Sequence, residues 1–83
     1  MKQADQIRRH ISVKYLQPAR VRGEKVVRVR AGDVHNAMGL QQSLPAVCSA
    51  MGTNKLCQQY AVRIKSREGP SNGANFYCTY ELL

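Results

Sequence analysis

Acidic residues are scarce in this chain. Five Asp and Glu stand against thirteen Lys and Arg in 83 residues, for a formal charge of +8. The five (Asp5, Glu24, Asp33, Glu68 and Glu81) are isolated from one another, so no carboxylate pair is offered for acid–base chemistry. Long apolar runs are missing as well. The longest uncharged stretch, Val34–Asn54, is interrupted by Gly39, Gln41, Gln42 and Pro45, which excludes a lipid-spanning helix. The N-terminus scatters its charges and has no apolar centre, so it does not read as a secretory signal.

Paired metal ligands are lacking too. Cys48, Cys57 and Cys78 form no CxxC, and His10 and His35 stand alone. Each cysteine falls on an apolar stripe, the pattern of reduced core thiols in a cytoplasmic protein. A Cys48–His35 nucleophilic pair would have no third group to orient it. "GTNK" lacks the glycine-rich spacing of a phosphate loop, and no dinucleotide fingerprint occurs. No catalysis, metal or cofactor is expected. A chain this short buries only about 60% of its unfolded surface, which suits one domain over residues 1–83 and not a two-lobed cleft.

The basic excess is what remains to be explained. A field of this sign draws polyanions toward the protein, and nucleic acid is the expected partner; a membrane is not. The charge is uneven. Residues 1–30 hold nine bases and two acids, net +7; residues 31–54 hold Asp33 alone, net −1; residues 55–83 hold four bases and two acids, net +2.

Ala4, Ile7, Ile11 and Tyr15 recur at three- and four-residue intervals, with Leu16 beside them. This predicts an amphipathic helix over Gln3–Leu16, with Arg8, Arg9 and Lys14 toward solvent and Pro18 ending it. In "EKVVRVRA", Val27 and Val29 alternate with Arg28 and Arg30, the period of a half-buried strand. A helix is expected to start at Gly32-Asp33, with Asp33 placed to cap it or to favour its N-terminus, and to stop at Gly39. A second starts at Ser43, and places Leu44, Val47, Cys48 and Met51 on one face and Gln42, Ala46, Ser49 and, where it extends that far, Thr53 on the other. Gly52 and Thr53-Asn54 end or interrupt it. Two strands, "YAVRIKSRE" and "NFYCTYEL", flank the turn-rich loop "GPSNGA" as a hairpin.

The order helix, strand, helix, helix, strand, strand, with the pair "GDVHNAMGL" and "SLPAVCSAM", resembles a winged helix-turn-helix domain. The resemblance implies an α+β fold with a small antiparallel sheet and a helix from Ser43 that enters the DNA major groove. It also implies a wing around Arg67 to Asn72; independently of it, Gly69, Ser71, Asn72 and Gly73 predict a mobile, unencumbered tip whose backbone can approach a phosphate closely. Two features depart from it: the connection from Gln17 to Arg30 is long and basic, and the reading helix carries no Arg or Lys before Lys55.

The expectation is therefore a non-catalytic module that binds double-stranded DNA, such as a transcription regulator. Arg63, Lys65 and Arg67 would contact phosphate from the wing, helped by Arg8, Arg9, Arg28, Arg30 and Lys55, with Asn72 at the tip. Gln41, Gln42, Ser43 and Ser49 would meet base edges, since amides pair with adenine and hydroxyls with several bases. The alternatives are an RNA-binding module, or an assembly domain that uses the Leu44–Met51 face toward a second copy or a larger protein. Such a domain would include the recognition part of a restriction or repair system.

Overall fold

A computed structural model describes residues 3–83 of the chain. Helix α1 (Gln3–Ile11) leads through a π-helical turn (Ser12–Leu16) into α2 (Gln17–Val21). The chain thus stays helical past Pro18, which the sequence reading took as a terminator. The widened turn explains how. The Gln17 amide reaches back five residues to the Ser12 carbonyl, and Pro18 then falls in the first turn of α2, where a missing N–H costs no bond. Ile7, Ile11, Leu16 and Ala19 are buried along this rod.

Strand β1 (Val26–Arg30) runs directly into α3 (Ala31–Ala37). Asp33 does not cap α3 through its side chain; it sits in the first turn and accepts from the Arg30 guanidinium at 2.9 Å. The first amides of α3 are satisfied from elsewhere: Ala31 donates to the Phe76 carbonyl at 2.8 Å and Gly32 to that of Ala74 at 2.9 Å. Gly39, at φ +66°, closes the α3 region as expected. Ser43 precedes α4 (Leu44–Met51), but its hydroxyl turns back to the Gln41 carbonyl and caps nothing. Its amide instead donates to His35 Nε2 at 3.2 Å, tying the α3–α4 turn to α3.

A further helix, α5 (Asn54–Tyr60), was not expected. Thr53 starts it by accepting from the Leu56 amide, and Leu56 anchors it in the core.

Strands β2 (Val62–Glu68) and β3 (Tyr77–Leu82) complete an antiparallel sheet of order β1-β3-β2. Val29, Cys78, Tyr80 and Val62 face the helices and are buried with Ile7, Ile11, Val47, Met51 and Leu56. Tyr80, fully buried, donates its hydroxyl to the Met51 carbonyl at 2.7 Å and so joins sheet to α4. The fold is α+β with a small three-stranded antiparallel sheet.

The register holds one irregularity. Ile64 pairs with Tyr80 but Ser66 pairs with Thr79, so Lys65 is a bulge. Residues opposite one another share a face. Arg63, opposite Glu81, therefore lies on the outer face, whereas Arg67, opposite Cys78, lies on the helix side. The sequence reading treated Arg63, Lys65 and Arg67 as one row. The bulge separates them.

Candidate nucleic-acid interface

The loop of residues 69–76 does not project as a free flap. Besides the two backbone bonds to α3, Cys48 Sγ donates to the Gly73 carbonyl at 3.5 Å, and Arg30 donates through Nε and Nη2 to Asn75 Oδ1 at 3.1 and 2.9 Å. These bonds hold the loop against α3 and α4, which corrects the expectation of a mobile, unencumbered tip. Between the loop and the C-terminal half of α4 lies a hollow of about 370 Å³. Ser49, Thr53, Arg67, Ser71 and Asn72 line it, with Cys48, Gly52 and Phe76. Arg67 reaches it from the helix side of β2, its Nη2 donating to the Gly52 carbonyl at 3.3 Å.

Of the sequence-predicted residues, this groove gathers Ser49, Arg67 and Asn72. Others are elsewhere. Arg8, expected toward solvent, is 5% exposed and pairs with Asp5 on a helix that packs against both α3 and α4. Arg28 stacks on the Tyr77 ring, 3.9 Å from its centroid, and bridges to Glu68 at 3.0 Å on the outer face of the sheet. Arg30 is engaged by Asp33 and Asn75. Arg63 pairs with Glu81 across the strands. Exposed pairs of this kind contribute little stability, but each occupies a guanidinium. Gln41 and Gln42 are exposed in the α3–α4 turn, Gln42 at φ +51°, and neither borders the groove. Ser43 has its hydroxyl bonded within that turn.

The carboxylates follow one rule: each of the five has an arginine partner. Asp5 pairs with Arg8, Glu24 with Arg22, Asp33 with Arg30, Glu68 with Arg28 and Glu81 with Arg63. The uncompensated charge therefore falls to other residues. Among the described residues, Arg9, Lys14, Arg20, Lys25, Lys65 and Arg67 form no ion pair, and of these Arg20 is engaged by backbone oxygens.

A second hollow, about 560 Å³, lies between α1 and α5 and is lined by Asp5, Arg9, Lys55, Gln58, Gln59 and Tyr60. Sequence reasoning singled out Arg9 and Lys55 but missed Gln58 and Gln59. The signal for the α5 residues was present in "TNKL", a threonine cap three residues before the first buried leucine.

Of the groove's lining residues, Cys48 is the one thiol. Burial pushes the Cys48 thiol up, and pushes Cys78 up to about 11, so both stay protonated at neutral pH. Burial, and then the Lys14 charge, lower His10 below its ordinary value. Among the described residues no group of three or more His, Cys, Asp or Glu is placed to hold a metal, and no helix is long and apolar enough to cross a membrane. No family model, no curated protein and no solved structure matches the chain.

Proposed function

We propose that the chain is a non-catalytic recognition module of winged-helix type. It holds double-stranded DNA in the groove between α4 and the 69–76 loop. The observation that carries this reading is the groove's composition: a cation, three hydroxyls and an amide (Arg67, Ser49, Thr53, Ser71, Asn72), with no carboxylate in the lining. The sheet order β1-β3-β2, with α3 and α4 inserted between β1 and β2, is compatible with the winged-helix arrangement; α5 is an addition to it.

In this reading Arg67 meets a phosphate, and Ser49 and Asn72 donate and accept toward base edges or sugar. Small exposed side chains on α4, Pro45 and Ser49, let its surface approach the duplex closely. Arg28, Arg30 and Arg63 act in the fold, through their ion pairs. The test is R67Q measured against salt. Affinity should fall on every duplex sequence, and the slope of log K against log salt should shrink by about 0.9, the value of one phosphate contact on duplex DNA. A slope equal to that of the wild type overturns the assignment. Stronger binding to duplex RNA or to single strands overturns the choice of DNA.

A further inference from the structure

We infer that the α1–α5 hollow is a second backbone-contact site for the same nucleic acid, made by Arg9 and Lys55 with the amides of Gln58 and Gln59. The inference rests on the reading above. The two hollows lie on either side of the α4–α5 junction: Gly52 and Thr53 border the first, and Lys55, two residues further on, borders the second. Along the chain Gly52 and Thr53 are followed by the exposed polar residues Asn54, Lys55, Gln58 and Gln59, and the last three line the second hollow with Arg9 of α1.

The charges at this hollow favour an anionic occupant. Asp5 is its one carboxylate, and Arg8 already neutralises it from the buried side. Lys55 approaches Asp5 only to 3.8 Å, with its side chain 69% exposed, and Arg9 has no ion pair among the described residues. Two cations thus face a hollow whose single acid is compensated. Gln58 and Gln59 supply amide donors of the kind that orient a phosphodiester without adding charge. A single groove centred on Arg67 offers one phosphate contact. The second hollow adds two, and would give the module a grip long enough to fix its direction on a duplex.

The test uses the full chain and a labelled random-sequence duplex of about two helical turns, titrated from low to high salt. R9Q/K55Q removes both cations at exposed positions. The salt slope should fall by about 1.8, and affinity at 0.1 M salt should fall about sixty-fold. Q58A/Q59A should weaken binding at every salt concentration and leave the slope unchanged. A charge-matched control, K14Q/K25Q, should keep nearly the wild-type slope. Equal losses in the control and in R9Q/K55Q would make the effect one of net charge and overturn the site. So would a wild-type slope in R9Q/K55Q; with R67Q still impaired, that outcome would leave the α4–loop groove standing. A wild-type chain that binds no duplex removes both readings at once.

Discussion

Replacing Gly69 with alanine separates two costs that usually arrive together. Gly69 opens the 69–76 loop at φ +88°, a region that L side chains resist. It also lies against the returning chain: a methyl built there would overlap the Asn75 carbonyl oxygen and stand 3.3 Å from Phe76 Cα. Gly39, at φ +66°, is the natural reference, because a methyl there meets nothing within 4 Å. The conformational cost alone is about 1–2 kcal/mol and applies to both glycines. Crowding against backbone adds about 1–3 kcal/mol at Gly69 only. G39A should therefore lose about 1.5 kcal/mol, and G69A about 3.5. The total stability of a chain this size is about 4–12 kcal/mol, so the second loss is a large share of it. At roughly 4–8 °C per kcal/mol, thermal melts followed by circular dichroism should fall by about 6–12 °C for G39A and about 14–28 °C for G69A. Costs that agree within about 0.5 kcal/mol would refute the crowding argument, and with it the close crossing of the loop on which the groove depends.

Two further outcomes follow from the core. Y80F removes the hydroxyl that satisfies the Met51 carbonyl and should cost about 1.5 kcal/mol in chemical denaturation; an unchanged transition would contradict the bond. Cys78 gives a pH dependence. Its folded value of about 11 lies above the ordinary 9.0, so the folded chain keeps a proton that the unfolded chain releases. That stability is fully present below about pH 9 and is lost as pH rises through about 11. Denaturant midpoints of wild type and C78A, measured across that interval, should converge as pH rises; parallel curves would rule the contribution out.

Much of the fold was legible, and the failures have physical causes. The stripe Ile7, Ile11 and Leu16, the face Val47, Cys48 and Met51, and the alternation of Cys78 and Tyr80 are buried as periodicity predicts. Arg8 was misread because a helical wheel shows which residues share a side but not how many neighbours a helix has. Here α1 touches α3 and α4, and Arg8, beside the apolar stripe, is buried along with it. Helix α5 was missed because Thr53 can end one helix or begin another, and only the position of Leu56 in the core decides between them.

The candidate site was less legible than the fold. A period of two carries Arg67 to the same face as Arg63, and nothing in "RIKSR" marks Lys65 as the residue that breaks it. Glycines and Asn72 suggested a loose tip, since local composition reports turn propensity and is silent on the distant amide, thiol and guanidinium donors that pin it. Two of the five carboxylate–arginine pairs are likewise long-range, Arg28 with Glu68 and Arg63 with Glu81. Arg28 meets Glu68 forty residues away, so counting charges by segment could not separate engaged cations from unengaged ones.

The π turn ahead of Pro18 has a geometric effect that reaches the opposite end of the chain. One additional residue in a helical turn rotates everything after it by about 100° relative to an uninterrupted α-helix. That rotation aims Arg20 at three backbone oxygens, those of Tyr60, Ala61 and Leu83, at 2.7–2.9 Å. A five-residue irregularity early in the polypeptide thus serves as the hasp of a clasp, fastening the first rod to the last turn of α5 and the final strand.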